Sequence, residues 1–531
     1  MWLCGGALAF NLLLVLAQLA LIAWNGLGYF WQRDLVSFEL GDGRRLLGEV
    51  HAREHFRPAD HPAAEELPWR IQVKVANREH TGADFVWIEE REIVRRAEPA
   101  DALHFERSEW GNFHGFLREL HRGEQLLASG DAAWPALLEQ IASAERQREA
   151  LLDVEKGPLG DVQYALDALR LDRRRLELDA PAADERARRT AELDAREKQL
   201  DQEFAGLSER IAGLRAELES VRATCELADG TRVELPVGGL LTALRPNEMS
   251  TFDKLLCWGG RIFGFLVDQP REANTEGGIF PALFGTVLMV FLMSVAVVPL
   301  GVLAALYLRE YSRQGPLVRC VRIAVNNLAG VPSIVFGIFG LGFFVYGIGG
   351  TIDELFFPEA LPRATFGTGG ILWAALTLAL LTVPVVIVAT EEGLAAVPRA
   401  VREGSLALGA TKFETIWRVV LPAAAPGMLT GVILAIARAS GEVAPLMIVG
   451  MVKLAPALPI DHHFPFVHFD QKFMHLGFHL FDVGFQSPDV EATKPLVFAT
   501  ALVLLVLVVA MNVVAITLRN RLKSRYAGSA L

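Results

Sequence analysis

The chain has 531 residues, 52% of them hydrophobic and 21% charged, and its mean hydropathy is +0.31. Its net charge of -11 argues against a nucleic-acid-binding protein, which would normally be basic. The four cysteines form no C-x-x-C pair, which excludes the usual zinc and redox signatures. Charged residues predominate over residues 33–271, and apolar runs predominate over residues 280–518. The sequence therefore predicts a large soluble part and a membrane part.

Six stretches contain the roughly 20 apolar residues that a helix needs to cross a bilayer. The first lacks the basic start and the small-residue cleavage site of a signal peptide, so residues 1–32 are interpreted as a retained membrane anchor. The predicted spans are Leu3–Trp24, Phe280–Leu308, Ile323–Ile348, Ile371–Thr390, Ala425–Val452 and Leu496–Leu518.

Basic residues predict the direction of these spans, because loops rich in lysine and arginine stay in the cytoplasm. Four arginines lie between residues 309 and 322, four basic residues lie in the loop 391–422, and the tail 521–531 is basic. The intervening loop 349–370 has only Arg363. Both termini are therefore expected inside the cell, with residues 33–271 outside the cytoplasm.

The soluble part reads as a small β-containing module that carries a helical arm. The stretches RIQVKVA (Arg70–Ala76), DFVWIEE (Asp84–Glu90) and ADGTRVELP (Ala228–Pro236) indicate strands. Residues 134–222 are helical in pattern, with breaks expected at Lys156–Gly160 and Asp179–Asp184. A heptad pattern predicts an antiparallel hairpin or coiled-coil arm. The heptad positions are Leu200, Phe204, Leu207, Ile211, Leu214, Leu218 and Val221.

Two cysteines, Cys225 and Cys257, fall on the oxidising side of the membrane in this topology and could form a disulfide. The sequence does not give their separation, so the bond is an expectation to be tested against the structure. Cys4 and Cys320 fall on the reducing side and are expected to be free thiols.

A polar segment, EGSLALGATKFETIWRVVLP (Glu403–Pro422), separates the fourth and fifth spans. It resembles the EAA loop of ABC importer permeases, in which a short coupling helix, a glycine turn and a second helix contact the ATPase subunit. The resemblance implies that small side chains let the helix seat deeply and that Gly409 makes the turn. The ATPase-coupling residues that it implies are Glu403, Gly404, Ser405, Ala407, Gly409, Ala410, Leu421 and Pro422.

The same segment contains a false signal for nucleotide binding. Gly404 and Gly409 have the spacing of a phosphate-binding P-loop, but Ala410 occupies the position of the required lysine. The sequence shows no other Walker-type motif, so we expect no ATPase activity in this chain.

Four stretches, one of which contains the EAA-like segment, resemble the PstA family, the permease subunits of bacterial phosphate importers. They are Gly277–Val287, Asn326–Leu341, the segment from Val397 to Pro422, and Ala437–Leu446. The likeness covers residues 277–520 and implies an all-α polytopic membrane protein with six transmembrane helices and the ABC importer permease fold, joined to the extracytoplasmic α+β module. Many members have only a short connection where this chain has about 240 residues.

The resemblance also implies a function and a set of partners. The chain would be the phosphate permease subunit of a bacterial inner-membrane importer, with a PstC-like second permease, a PstB-like ATPase dimer and a PstS-like periplasmic phosphate-binding protein. ATP and Mg would be used by the ATPase, and no cofactor would be bound by this chain. Another oxyanion, molybdate or sulfate, remains an alternative substrate. A membrane sensor with a coiled-coil receptor domain is the rival class, but the cytoplasmic parts contain no signalling domain.

Charged and polar residues inside the predicted spans are candidates for the translocation path. Arg438 and Glu442 have i, i+4 spacing in the fifth span, so they can pair on one helix face. Either the pair only fixes helix packing, or the arginine attracts the phosphate anion and the carboxylate compensates it. Asn326, Asn327, Pro332 and Ser333 interrupt the third span and could line a pore or allow close packing.

The loop between the last two spans is rich in histidine. It contains His462, His463, His468, His475 and His479, and the last two have a spacing compatible with metal binding. The pattern defines no fixed set of ligands, so no metal site is predicted. A surface that touches a binding protein is the preferred interpretation.

Overall fold

The computed structural model describes residues 2–56, 68–455, 457–487 and 490–527. Its Cα positions fall into two compact units. Residues 30–264 form one unit, here called the inserted module. Residues 1–29 and 265–531 form the other, here called the membrane unit. The chain begins with helix α1 (Trp2–Gly28), whose Gly26 lies against the backbone of Phe498 near the end of the chain.

The first sheet of the inserted module has five antiparallel strands in the order β4-β3-β2-β1-β5. Alternate side chains from these strands form one apolar core, in which Phe38, Val73 and Ile88 are buried. The strands expected at Arg70–Ala76 and Asp84–Glu90 are confirmed. The elements are β1 (Leu35–Leu40), β2 (Arg45–His55), β3 (Trp69–Lys74), α2 (Arg78–Thr81), β4 (Phe85–Glu89) and β5 (Ile93–Ala97).

The second sheet has the order β10-β9-β7-β6-β11, and β8 pairs with β7. Phe105, Phe113 and Leu120 are buried in its core together with Leu137 from the first inserted helix. Three helices are inserted between β8 and β9. The elements are β6 (Leu103–Arg107), β7 (Phe113–Arg122), β8 (Gln125–Ser129), α3 (Ala133–Lys156), α4 (Pro158–Asp179), α5 (Ala183–Glu219), β9 (Val221–Glu226), β10 (Arg232–Pro236) and β11 (Leu240–Leu244).

The helical arm breaks where the sequence predicted, at Gly157 and at Ala180–Ala182. Helices α4 and α5 share an apolar cluster that contains Val162, Leu169 and Leu200. The heptad extends one residue too far, because Val221 begins strand β9 instead of continuing α5. A shared seam between two helices is thus present, whereas the coiled-coil supercoil stays a prediction.

The expected disulfide is wrong, because Cys225 and Cys257 are both free thiols. Cys225 lies on β9 inside the apolar core of the second sheet. Cys257 lies on helix α6 (Thr251–Val267), where partial burial raises the pKa of its thiol. Burial raises the pKa of the Cys225 thiol to about 12, so this thiol is held in its unreactive protonated form.

Helix α6 leads through a short hairpin into the membrane helices. The strands are β12 (Pro270–Arg271) and β13 (Glu276–Gly277). The helices that follow are α7 (Phe280–Leu306), α8 (Pro316–Leu328), α9 (Ser333–Phe339), α10 (Gly350–Phe356), α11 (Ile371–Ala396), α12 (Arg399–Ala407), α13 (Lys412–Thr415), α14 (Leu421–Gly441), α15 (Ala444–Val449), α16 (Leu476–Phe481) and α17 (Val490–Ala527). Several are joined without a break by π-helical stretches, Tyr307–Tyr311, Gly340–Gly349, Ile416–Val420 and Asp482–Gln486.

Among the described residues, six helices are long and apolar enough to cross a membrane, as the sequence predicted. Helix α11 is the most buried of them, and it packs between α7 and α14. Small residues permit this close approach: a Cβ on Gly301 would lie 2.7 Å from Val386, and one on Gly427 would lie 2.7 Å from the backbone of Gly393. The spanning helices are Trp2–Gly28, Phe280–Tyr311, Ser333–Phe356, Ile371–Ala396, Lys412–Gly441 and Thr493–Arg521.

Two predicted spans have different bounds in the structure. The third begins at Ser333 and ends at Phe356, because α8 is a separate helix that ends at Leu328. The fifth begins at Lys412 and ends at Gly441, because the chain is extended at Glu442 and α15 is a separate turn of helix. Hydropathy alone merged each short amphipathic or apolar helix with the neighbouring span.

Candidate coupling and translocation sites

The EAA-like segment, Glu403–Pro422, forms two helices joined by a glycine turn. Helix α12 spans nine residues and ends at Ala407. Gly409 has a φ of +88°, a left-handed conformation that side chains disfavour and that commonly follows a helix. No atom lies within 4 Å of the position that a Cβ on Gly409 would occupy, so backbone conformation and not space requires glycine there.

The second helix begins with a capping box. The Thr411 hydroxyl accepts a hydrogen bond from the backbone N–H of Glu414, and the Glu414 carboxylate accepts one from the backbone N–H of Thr411. Across the turn, the Ser405 and Thr415 hydroxyls are 2.9 Å apart. The pair of helices is therefore locally rigid on both sides of the turn.

Helix α12 and the EAA-like segment that it enters are tied to the end of the second spanning helix. A guanidinium nitrogen of Arg402 lies 3.0 Å from the Glu310 carboxylate and donates to the Leu394 carbonyl oxygen at 2.6 Å. The Lys412 ammonium donates to the Glu310 backbone carbonyl at 2.5 Å and lies over the Tyr311 ring. A displacement of α12 would therefore pull directly on the extension of α7.

The outer face of the segment is apolar and uncovered in the isolated chain. Leu408, at the start of the glycine turn, is 91% exposed. The Phe413 and Trp417 rings stack at 6.3 Å, and both are more than half exposed. On α12, Glu403, Gly404 and Ala407 are exposed, and Ala410 after the turn is half-buried. Leu408 lies outside the spanning helices, where an exposed apolar side chain is typical of a surface that contacts another protein, whereas Phe413 and Trp417 lie in the first turns of the spanning helix Lys412–Gly441.

The last two predicted coupling residues lie elsewhere than expected. Leu421 and Pro422 do not precede the spanning helix but lie ten residues inside it, because that helix begins at Lys412. Proline lacks an N–H and leaves a carbonyl in the preceding turn without its helical donor. The π-helical stretch Ile416–Val420 occupies that position, as helix irregularities at proline commonly do.

Arg438 and Glu442 do lie close together, although not on one continuous helix. The Nε atom of Arg438 is 3.6 Å from the Glu442 carboxylate. Arg438 lies in the last turn of α14, while Glu442 is the extended residue that ends the helix. Both side chains are partly exposed, at 33% and 20%. The pair therefore lies at a helix end, where its charges remain accessible, instead of in the middle of a span.

The two asparagines leave the third span. Asn326 and Asn327 are exposed on α8, outside the spanning helix. Asn326 lines a cleft at the base of the bundle with Arg309, Arg322 and Glu391, in which Arg322 pairs with Glu391 at 3.1 Å. Charged and apolar side chains together line the cleft around this asparagine.

Pro332 and Ser333 mark the beginning of the third span. Pro332 precedes the first helical residue in an extended conformation, and Ser333 opens α9. Farther along, a Cβ on Gly337 would lie 2.7 Å from Pro445 of α15. Close packing therefore accounts for Gly337, while the structure shows no contact that assigns Pro332 or Ser333 to a pore.

The histidines of the last loop do not gather into one cluster. His475 accepts a hydrogen bond from the Gly477 backbone N–H and caps α16, and His479 is buried one turn later. Burial lowers the pKa of each ring to about 4, so both are neutral at neutral pH. His468 and His463 both lie near the Asp461 carboxylate.

The inserted module contains a buried polar cluster that sequence reasoning missed. His104 and His114 face each other across β6 and β7, with Nδ1 of the first 3.0 Å from Nε2 of the second. The Glu49 carboxylate lies 3.7 Å from the same His104 nitrogen, so the three could surround a metal ion. However, Arg261 contacts His104 Nε2 at 3.2 Å, and Arg33 and Lys74 also lie near Glu49.

These charges favour a hydrogen-bonded network over a metal site. When His104 Nε2 accepts a hydrogen bond from Arg261, its Nδ1–H can donate to His114 Nε2, which pairs these two nitrogens without an ion. A divalent cation would add charge beside three cationic side chains. Burial raises the pKa of Glu49, while burial followed by repulsion from His114 lowers the pKa of His104. The cluster depends on the pairing of His104 opposite His114 between β6 and β7, and this register cannot be read from the sequence.

One other feature of the site is visible in the sequence, and one is not. The T-x-x-E spacing of Thr411 and Glu414 is a sequence-level capping signal. Glu310 carries no such signal, because its partner Arg402 is 92 positions away and only the folded bundle brings them together.

Comparison with known proteins agrees with this architecture. Residues 297–527 match the family model described as "Binding-protein-dependent transport system inner membrane component". This match and the six apolar helices confirm the permease fold that the sequence predicted for the membrane unit.

Within that class, the PstA resemblance is also confirmed. The chain is 38% identical over 191 residues to the phosphate transport system permease protein PstA 1 of Mycobacterium tuberculosis (strain CDC 1551 / Oshkosh), which is 36% of this chain and 55% of that protein. It is 37% identical over 187 residues to PstA of Yersinia pestis, 35% of this chain and 56% of that protein. The chain thus spans little more than half the length of the curated relatives it matches.

Among solved structures, the chain is similar to the MetNI methionine ABC transporter in an inward-facing conformation. The likeness covers 45% of this chain and 94% of that one, with 18% identity and a TM-score of 0.34. A TM-score this low supports no structural argument.

Proposed function

We propose that this chain is the phosphate permease subunit of an ATP-driven importer in the bacterial cytoplasmic membrane. The observation that carries the substrate is the 37–38% identity to relatives named for phosphate transport. The partners follow from the same relationship: a PstC-like second permease, a PstB-like ATPase dimer that uses ATP and Mg, and a PstS-like binding protein that delivers phosphate.

The EAA-like segment is the proposed site of ATPase coupling. Its uncovered apolar face, with Leu408 and the Phe413–Trp417 stack, would fill a cleft on the ATPase. The Arg402–Glu310 ion pair and the Lys412 contact would carry the movement of α12 into the second span. ATP binding and loaded binding protein would then shift the bundle between states, because each favours one of them.

The proposed direction places the EAA-like segment and both termini in the cytoplasm and the inserted module outside it. The distribution of basic residues supports this direction. Phosphate would then pass near Arg438, whose guanidinium offers several donors to an oxyanion. Glu442 compensates that charge when phosphate is absent, which prevents a permanent trap for the anion.

Radiolabelled phosphate uptake at low external phosphate tests the proposal. Deletion of the gene should abolish uptake, and the wild-type gene should restore it. Gly409→Ala should reduce uptake because alanine is strained at a φ of +88°, and Arg438→Ala should reduce it because the cation is lost. Arg438→Lys should retain part of the activity, since it keeps the charge but not the planar fork of donors.

Gly230→Ala is the matched control, since Gly230 also has a left-handed φ of +90° and open space around it but lies in the inserted module. This variant should transport normally. If deletion leaves phosphate uptake intact in cells without other phosphate carriers, the substrate proposal fails. Uptake of molybdate or sulfate that depends on the gene would then identify the alternative substrate within the same permease class.

A further inference from the structure

Helix α6 presents an apolar face for which the inserted module provides no partner. Its outward side chains are large and exposed, and no lysine or arginine lies among them. The exposed members are Phe252, Leu255, Leu256, Phe263 and Val267, with exposures between 48% and 67%, and glycines at positions 259, 260 and 264 lie between them. A surface of this kind in water would be an aggregation hazard, so something is expected to cover it.

The opposite face of α6 is already used within the module. The Lys254 ammonium is paired with the Asp34 carboxylate at 2.5 Å. The Arg261 guanidinium lies 2.6 Å from the Glu106 carboxylate and also contacts His104. The helix therefore has a charged, fully engaged face and an apolar, free face, which is the pattern of a helix that lies in a membrane interface.

The carboxyl-terminal end of α6 lies next to the spanning helices, so the lipid bilayer is the surface available to cover the apolar face. Phe265, in its last turn, is 4% exposed and packs edge-on against Tyr29, directly after the first spanning helix. The Phe265 carbonyl also accepts a hydrogen bond from the backbone N–H of Ile279, one residue before the second spanning helix. The last turn of α6, which belongs to the membrane unit, is thus held beside the ends of two spanning helices.

Aromatic residues near the end of α1 also indicate an interfacial position for this end of the helix. Trp24 is 83% exposed near the end of α1, and Tyr29 is 37% exposed. Tryptophan and tyrosine are enriched where spanning helices cross the membrane–water interface.

We infer that α6 lies in the interfacial layer of the lipid bilayer, with the face that contains Leu256 and Phe263 inserted among the lipid chains of one leaflet. Because this face carries no basic residue, its insertion depends on apolar burial and not on anionic lipid. The inference requires the membrane spans but not the phosphate assignment, so either can fail without the other.

A depth measurement in lipid nanodiscs tests the inference. Single cysteines would be introduced as Phe263→Cys and Leu256→Cys in a chain whose four native cysteines are replaced by alanine, then labelled with an environment-sensitive fluorophore. The full chain, with any subunits that copurify, would be placed in neutral phosphatidylcholine. We expect blue-shifted emission, loss of fluorescence with nitroxide-labelled phosphatidylcholine, and little loss with aqueous iodide.

Val94→Cys is the matched control, because Val94 is an apolar residue of β5 that is 71% exposed. Its label should respond to iodide and not to the nitroxide lipid. Iodide quenching at positions 256 and 263 equal to that at 94 would overturn the inference. Protection from both quenchers would also overturn it, because it would show that another protein surface covers α6. Quenching by nitroxide lipid that appears only with phosphatidylglycerol would overturn the apolar basis of insertion.

Discussion

The membrane unit and the inserted module bury their polar groups in different ways. In the membrane unit, the Arg402–Glu310 and Arg322–Glu391 ion pairs join the short helices α12 and α8 to the ends of two spanning helices, while small residues fill the contacts between spanning helices. In the module, Glu49, His104 and His114 lie close together between strands, with Arg33, Lys74 and Arg261 nearby. The surroundings explain the difference. Lipid offers no hydrogen bonds to a charged side chain on a spanning helix, so charges are kept away from the lipid-facing stretches. In a water-covered module, a buried charge can be compensated by oppositely charged and polar groups around it.

The largest expected effect is a steric clash between helices of the membrane unit. A Cβ on Gly285 would lie 2.1 Å from the carbonyl oxygen of Met474. Gly285→Ala should therefore force the backbone apart and cost about 1–3 kcal/mol or more, since overpacking cannot be relieved by moving a main chain. Thermal stability of the purified protein in detergent, followed by size-exclusion chromatography, measures the effect.

Gly342→Ala is the control for that variant, because no atom lies within 4 Å of its Cβ position. In the module, Gly48→Ala should be as damaging as Gly285→Ala, since its Cβ would lie 2.2 Å from the Lys74 carbonyl oxygen. Equal stability of the Gly285 and Gly342 variants would contradict the close packing described for α7.

The next effect concerns the ion pair at the base of the bundle. Arg402→Ala removes the side chain that ties α12 to Glu310, and we expect phosphate uptake to fall by up to about tenfold, equivalent to about 1.4 kcal/mol. Glu310→Gln should have a similar effect, and the double variant should be little worse than either single one, because both remove the same contact. Uptake together with ATP hydrolysis in proteoliposomes distinguishes lost coupling from lost folding.

Independent, additive losses for the two single variants would show that the pair does not act as a unit. Retention of full uptake in Arg402→Ala would remove this contact from the proposed route between α12 and α7.

A smaller effect should distinguish the module by its response to pH. Burial lowers the pKa of His114 to about 3 and that of His51 to about 4, from the usual 6.5. The unfolded chain therefore binds more protons than the folded one between about pH 6.5 and pH 3, and stability is lost as pH falls through this range. Hydrogen exchange of the β6 and β7 amides should accelerate accordingly.

Glu49 acts in the opposite direction, because burial raises its pKa and its stabilising contribution is lost as pH rises above about 4.5. Between pH 6.5 and pH 5 the histidines should dominate. His114→Gln should flatten the pH dependence, while His80→Gln, a change at a more exposed histidine, should not. An unchanged slope in His114→Gln would remove the buried histidine as the cause.

The smallest effect is expected at an exposed ion pair of the module. Arg53 lies 2.7 Å from Glu90, nearly the distance of the Arg402 pair, but its side chain is 53% exposed. Arg53→Ala should leave stability and uptake unchanged within error, because water and salt screen such pairs. A loss as large as that of Arg402→Ala would show that burial does not separate the two regions.

Local patterns in the sequence predicted a large part of this molecule. Six apolar runs predicted six spanning helices, alternation predicted β3 and β4, and a turn-and-strand pattern predicted β10. The resemblance of Glu403–Pro422 to the EAA loop predicted a short helix followed by a turn at Gly409. These features depend on neighbours a few positions apart. Short apolar helices beside a span, α8 and α15, were merged with it because hydropathy does not show where a helix ends.

The sequence by itself determined the division into membrane and soluble parts, the six apolar spans and the helix–turn–helix of the EAA-like segment, since each is written in contiguous residues. Only the tertiary structure decided that Cys225 and Cys257 are free, that Glu310 receives Arg402, and that Glu49, His104 and His114 meet. It also showed which face of α6 the module leaves open. The physical reason is the same in each case: whether residues distant in the sequence meet, or a face stays open, is set by packing between elements and not by any local propensity.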